Sequence, residues 1–178
     1  MKKILIVIST MIILQGCSLK VIQMDPTPNI NINESDKSIA LVLNERIKEK
    51  FEISENRGIK KAEVEGWRKS LRAGFNNAFS DYYSINEDAN NADLVLILKR
   101  ADIEFSPTSV ATNVGVTSLE THITFNSQLK NNKGKVIERL AKTANSKGSI
   151  TDPSHVTDNV ETAVESMYEL IAEDMFEQ

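Results

Sequence analysis

Residues 119–130 (LETHITFNSQLK) alternate over twelve positions between apolar or small side chains and polar or charged ones. Apolar and small residues occupy every second position, namely Leu119, Thr121, Ile123, Phe125, Ser127 and Leu129. A period of two over this length predicts a β-strand with one buried face. The run from Asn131 to Gly134 favours a hairpin turn, because Asn and Gly adopt positive φ readily. We therefore expect an antiparallel partner strand from residue 135 to about residue 146.

Further strand and helix signals flank this hairpin. Residues 38–43 (SIALVL) predict a first strand, and residues 92–105 (ADLVLILKRADIEF) predict another that ends at Pro107. From Lys61 onward, helical spacing relates the apolar residues Val64, Trp67, Leu71, Phe75 and Ala78. Asp152 and Pro153 suit the start of a second helix. Residues 44–53 fit a helix or a strand.

These elements predict an α+β fold with the order β-α-β-β-β-α. Each of the two helices is amphipathic and has one apolar face to bury. A single antiparallel or mixed sheet of about four strands is sufficient to cover both faces.

The amino terminus predicts export. Lys2 and Lys3 precede an apolar run over residues 4–14 (ILIVISTMIIL). The run is shorter than the roughly 20 apolar residues that a membrane-spanning helix needs, and it is typical of a signal peptide. Residues 14–17 (LQGC) resemble a bacterial lipobox, although Gln15 departs from the usual small or β-branched residue. This resemblance implies cleavage between Gly16 and Cys17 and acylation of Cys17. The alternative is an ordinary signal peptide with an incidental cysteine.

The predicted organisation follows from that cleavage. Residues 1–16 form a lipoprotein signal peptide, residues 17–37 carry the lipidated Cys17 on a flexible tether, and residues 38–178 form one periplasmic α+β domain. Pro26, Pro28 and several asparagines favour the tether. Removal of two lysines with the signal peptide changes the net charge from −4 to −6. Because Ser18 stands where Asp retains lipoproteins in the inner membrane, the resemblance points to the outer membrane.

Composition and motifs argue against several classes of function. A single Cys excludes an intrachain disulfide or a multi-thiolate zinc site, and the acidic net charge argues against nucleic acid. His122 and His155 lack metal-ligand spacing, and the chain contains no GxSxG or GxxxxGK[ST] motif. We therefore predict no metal, no cofactor, no catalytic residue and no enzymatic activity. A hydrolase that uses His122 is the least favoured hypothesis.

Two surfaces are candidates for contacts. Residues 106–117 (SPTSVATNVGVT) predict a polar loop between strands, with Ser106, Thr108, Thr112 and Asn113 as contact residues. A basic cluster includes Lys48, Lys50, Lys60, Lys61, Arg68 and Lys69. This cluster either faces anionic headgroups or serves solubility.

The chain resembles the YajG-type family of small bacterial outer-membrane lipoproteins. The similarity lies in residues 67–75, 92–97, 121–129 and 159–175, and it is a similarity of pattern. The element order is also similar to that of a lipopolysaccharide-assembly lipoprotein and of lipoprotein subunits of secretion systems. The resemblance implies accessory or structural work. The sequence thus favours a non-enzymatic, lipid-anchored protein on the periplasmic side of the outer membrane, which binds or scaffolds an envelope protein partner. The alternative is a lipid- or small-ligand-binding accessory of a transport or secretion system.

Overall fold

The larger sheet has five strands among the residues that the structure describes. The computed structural model describes residues 19–22, 24–56, 59–111, 115–149 and 153–176. Its larger sheet has the order β5-β2-β6-β7-β8, with β2 (Ser38–Leu43), β5 (Ser84–Ile85), β6 (Leu94–Ala111), β7 (Gly115–Asn131) and β8 (Val136–Ser149). β2 runs parallel to β5 and β6, whereas β6, β7 and β8 are antiparallel neighbours. The sheet is therefore mixed.

The alternation along β7 is confirmed. All six residues predicted to face inward are buried, and Gly134 has a φ of 74° in the turn that leads to β8. The buried residues of β6 are first at even positions, Leu94, Leu96 and Leu98, and then at odd positions, Ala101 and Ile103. The pairing register with β7 shifts by one residue between Leu98 and Arg100. This bulge lets the apolar residues on both sides of it face the same core.

Two helices cover one face of the sheet: α1 (Trp67–Phe79) and α2 (Pro153–Phe176). α2 begins at the predicted proline. The two helices approach closely at Gly74, because a β-carbon there would lie 2.9 Å from Cε2 of the buried Tyr168. The Tyr168 hydroxyl donates a hydrogen bond to the Leu71 carbonyl at 2.5 Å, which fixes the contact between the helices.

The start predicted for the first helix is wrong. Residues 59–65 form β4 (Ile59–Glu65), which pairs with β1 (Leu19–Ile22) and β3 (Phe51–Asn56) in a second sheet of order β1-β4-β3. Gly66 separates β4 from the helix with a φ of 67°, a left-handed conformation that glycine adopts at low cost. Val64 fits the helical period of 3.6 and the strand period of two. Residues 59–65 form a strand because β4 pairs with β1 on one side and with β3 on the other.

The prediction of an α+β fold with two helices and a mixed sheet is confirmed, with more strands than expected. The predicted order survives as β2, α1, β6, β7, β8 and α2. A hydrophobic cluster joins side chains of both sheets and both helices, and its fully buried members include Trp67, Phe75, Phe79, Phe125 and Tyr168.

Candidate functional site

Residues 24–32 form an extended segment, here called the strap, that lies against both helices. Its side chains alternate between buried and exposed. The buried ones are Met24, Pro26, Pro28, Ile30 and Ile32, and those between them are exposed. This packing differs from the flexible tether predicted for residues 17–37. The apolar period of two was concealed in the sequence by the prolines, which favoured a linker.

One edge of the strap bonds to α2. The backbone N–H groups of Asp25 and Thr27 donate to Oε1 of Glu161 at 3.1 Å and of Glu165 at 3.0 Å. The N–H of Asn29 donates to Oε1 of Glu169 at 3.2 Å. Four residues of α-helix rise about 6 Å, and two residues of extended chain rise about 6.6 Å. Because these repeats nearly match, every second amide of the strap meets every fourth residue of α2.

The other edge of the strap bonds to α1 and to the residues that follow it. The Pro26 carbonyl accepts from Nδ2 of Asn77 at 2.8 Å, and the Ile30 carbonyl accepts from the Tyr82 hydroxyl at 2.7 Å. Proline has no N–H, and Pro26 and Pro28 alternate with the residues whose amides bond to α2. We call the three bonds from the strap amides to Glu161, Glu165 and Glu169 the ladder. The prolines therefore remove no bond from the ladder.

The ladder places three carboxylates along one side of α2. Burial raises the pKa of Glu161, and the nearby charges of Glu165, Asp158 and Asp25 raise it further. The hydrogen bond from the Asp25 N–H opposes these effects. The amides of the strap thus stabilise negative charges that would otherwise repel one another.

The chain ahead of the strap is also part of the fold. β1 pairs in parallel with β4, and its Val21 is fully buried. At Met24, the first residue of the strap, the backbone N–H donates to the buried Ser70 Oγ at 3.0 Å. Leu19, the first residue of β1, follows Cys17 by two positions. The predicted lipidation and cleavage residues, Cys17 and Gly16, lie outside the described residues.

The predicted contact loop is a strand segment for most of its length. β6 continues to Ala111 and β7 begins at Gly115, so Ser106 and Thr108 lie on β6. The prediction that Pro107 ends the strand is wrong, because a register shift follows it and proline is tolerated at such a bulge. Thr108 Oγ1 lies 2.8 Å from Ser118 Oγ. The other two predicted contact residues, Thr112 and Asn113, lie outside the described residues.

The sheet face opposite the helices carries rows of polar side chains on β6, β7 and β8. In the central row Glu104, His122 and Asn145 are neighbours across the strands, and His122 Nδ1 lies 2.6 Å from Asn145 Oδ1. In the next row Thr124 Oγ1 lies 3.3 Å from Thr143 Oγ1. We call this surface the open face.

The two histidines lie on different elements of the fold. His122 is half-buried on the open face, 4.0 Å from a Glu120 carboxylate oxygen, and His155 is exposed in the first turn of α2. Within the described ranges, no three His, Cys, Asp or Glu residues are placed to hold a metal ion. Neither described helix has the length and apolar character needed to cross a membrane.

The structure divides the predicted basic cluster. Lys50 Nζ contacts carboxylates of Glu52, Glu63 and Glu65 at 3.2–3.4 Å. The Arg68 guanidinium donates to the carbonyls of residues 43, 44 and 47. These two cations stabilise the fold, whereas Lys60 and Lys61 lie at the start of β4.

A groove of about 400 Å³ runs between α1 and the β2–β5 edge of the larger sheet. Its apolar residues are Leu41, Phe75 and Ile85, and its polar residues include Arg72 and Glu87. A second cavity of about 270 Å³ lies where β8 and the start of α2 meet, and it is lined by Lys147 and His155 among others.

The sequence matches no family model, and no curated protein matches it significantly. The YajG-type resemblance therefore stays a prediction. Among solved structures, protein XCC0632 from Xanthomonas campestris, of family DUF330, aligns with a TM-score of 0.59 and 13% identity over 90% of this chain and 95% of that one. At this identity the likeness shows a shared fold. A minor lipoprotein from Acinetobacter baumannii aligns with a TM-score of 0.49 and 12% identity, over 80% of this chain and 92% of that one.

Proposed function

We propose that this protein is a non-enzymatic lipoprotein of the bacterial envelope that holds a binding domain close to the membrane. In this proposal Cys17 is acylated and anchors the chain in the outer membrane on its periplasmic side. The open face of β6, β7 and β8, together with Ser106 and Thr108, then contacts an envelope protein. The sequence of residues 1–18 supports the anchor and its location.

The packing of β1 and the strap directly after Cys17 is the observation that carries this proposal. A flexible linker of some twenty residues has a root-mean-square span of about 25 Å and would let the domain reorient freely. Here a single residue separates Cys17 from β1, so the gap from Cys17 to Leu19 spans at most about 7 Å. A domain attached in this way stays close to the lipid. Such an attachment suits a scaffold that presents one surface to a partner.

The chemistry of the open face supports binding rather than catalysis. His122 lies on an extended sheet surface, where Asn145 is its nearest hydrogen-bonding partner. A general base needs a positioned substrate in a site that excludes water. Rows of hydroxyl, amide and charged groups on a rigid sheet instead offer many hydrogen bonds to a polar protein surface.

Replacement of Cys17 tests the proposed anchor. Wild type should fractionate with the outer membrane, and mass spectrometry should find acyl chains on its amino-terminal cysteine. Cys17→Ser should leave the protein unprocessed and without acyl chains, whereas the neighbouring Ser18→Ala variant should be processed like wild type. Unchanged processing and fractionation of Cys17→Ser would contradict the proposal.

Crosslinking in cells tests the proposed contact surface. A photo-reactive residue at Thr143, which is exposed on the open face, should capture an envelope protein. The same residue at Lys133, in the turn between β7 and β8, is the matched control. Capture at Lys133 but not at Thr143 would reject the open face as the contact surface.

The groove beside α1 favours a second candidate, an accessory protein that binds a lipid or small ligand. Apolar Leu41, Phe75 and Ile85 next to charged Arg72 and Glu87 suit an amphipathic molecule. Native mass spectrometry of the purified protein should then show a non-covalent adduct. Ile85→Glu should remove the adduct while Lys133→Glu leaves it in place, and purification without any adduct would count against this candidate.

A further inference from the structure

One end of the smaller sheet lies next to the predicted lipid anchor. β1 begins at Leu19, which pairs with Ala62 on β4. Because β1 and β4 are parallel, the first residues of β4 extend beyond Leu19 in the direction of Cys17. β3 ends at Asn56, which pairs with Ile59 at this same end. Lys60 and Lys61 therefore lie at the anchor end of the sheet.

The charges of the smaller sheet are unevenly distributed along its strands. Lys50, which immediately precedes β3, gathers the carboxylates of Glu52, Glu63 and Glu65 at the end away from Cys17. Lys60 and Lys61 lie at the other end, where Glu55 is the acidic residue of β3. The positive end is thus the end of the sheet at which β1 begins.

We propose that the anchor end of the smaller sheet, marked by Lys60 and Lys61, docks on an anionic phospholipid surface. This inference rests on the proposed function, since acylation of Cys17 is what brings a bilayer to this end. The contact adds an electrostatic attachment beside the lipid anchor and fixes which side of the domain faces the membrane.

The distances fit the range of electrostatic attraction. The chain from Leu19 back to Cys17 spans at most about 7 Å. Attraction between charges in solution extends about 10 Å at 0.1 M salt, which is longer than this span. Each lysine near an anionic surface shifts a binding equilibrium about fivefold, so two lysines shift it about 25-fold.

A fluorescence experiment on the processed lipoprotein tests this contact. Cys17 is the only cysteine, so an Asn56→Cys variant of the acylated protein carries one free thiol for a fluorescent label. The labelled protein is reconstituted in vesicles of phosphatidylcholine alone, or of phosphatidylcholine with phosphatidylglycerol. A lipid with a nitroxide at its headgroup quenches the label when the sheet docks. Quenching should be stronger in the vesicles with phosphatidylglycerol.

Charge reversal identifies the residues responsible. Lys60→Gln/Lys61→Gln removes both charges and should lower the ratio of docked to undocked protein about 25-fold, which reduces quenching to the level seen in phosphatidylcholine. Lys60→Glu/Lys61→Glu also adds two negative charges and should lower this ratio further. Lys133→Glu/Lys135→Glu reverses two exposed lysines at the β7–β8 turn and should leave quenching unchanged.

Two results would overturn the inference. One is equal quenching in the two kinds of vesicle, and the other is an equal loss of quenching in both charge-reversal variants. Failure of the anchor itself would be seen separately, because mass spectrometry of the purified protein would then show no acyl chain on Cys17.

Discussion

Removal of one glutamate from α2 should loosen the strap without unfolding the domain. Glu165 Oε1 accepts from the Thr27 N–H at 3.0 Å and lies 3.5 Å from the Thr27 hydroxyl oxygen. Hydrogen bonds to charged groups contribute about 1.5–3 kcal/mol, and solvent at this half-exposed carboxylate lowers the value to about 1 kcal/mol. Glu165→Ala should therefore make local opening of the strap about fivefold more frequent. The buried side chains beside Thr27 keep the segment attached.

Amide hydrogen exchange followed by NMR measures this opening residue by residue. The Thr27 amide should exchange about fivefold faster in Glu165→Ala, while amides in the centre of β7 stay unchanged. Glu165→Gln keeps an acceptor oxygen and should have a smaller effect. Glu173→Ala, a change at an exposed residue of the same helix, is the matched control. Equal exchange at Thr27 in Glu165→Ala and Glu173→Ala would refute the role of the ladder.

Three further substitutions test the packing and the pH response. Gly74→Ala should lower the free energy of unfolding by about 1–2 kcal/mol in urea titrations, because overpacking against the Tyr168 ring exceeds the gain in helix propensity; an increase would contradict the close contact. Hydrogen bonds from the Ser38 backbone and hydroxyl lower the pKa of Asp93 below 3.8. The ionised carboxylate thus contributes stability above pH 3.8 that is lost as the pH falls through the lower folded-state pKa, and Asp93→Asn should lose less stability on acidification than wild type. The Trp67 indole N–H donates to the Ala101 carbonyl at 3.0 Å, and Trp67→Phe leaves that carbonyl without this donor. Trp67→Phe should therefore lower the free energy of unfolding by about 2 kcal/mol in urea titrations. An unchanged midpoint would refute this.

The parts of the fold that the sequence predicted well are those with a local, repeated pattern. The alternation in β7 needs no knowledge of distant residues, and neither does the run of residues 38–43, which forms β2 with the predicted bounds. The amphipathic stripe of α2 and its starting proline are equally local signals. In each case the periodicity of the chain and the burial in the fold report the same geometry.

The parts that sequence reasoning missed depend on distant partners. β4 has strand partners 43 and 13 residues away along the chain, at Leu19↔Ala62 and Phe51↔Val64, and its Val64 also fits a helical stripe. The strap bonds to glutamates 136–140 residues further on. A signal for it did exist, since Met24, Pro26, Pro28, Ile30 and Ile32 alternate with polar residues. The prediction of a contact loop is wrong because Pro107, which favours the end of a strand, lies next to a bulge within β6.

The spacing of the ladder restricts how this protein can change length during evolution. Deletion of one residue at the start of the strap would bring a proline opposite a glutamate and turn the buried side chains toward solvent. Deletion or insertion of two residues would restore both the amide positions and the burial pattern. Homologous chains that keep the glutamates at 161, 165 and 169 should therefore differ in this segment by even numbers of residues. The permitted changes in length thus follow from the match between four residues of α2 and two residues of the strap.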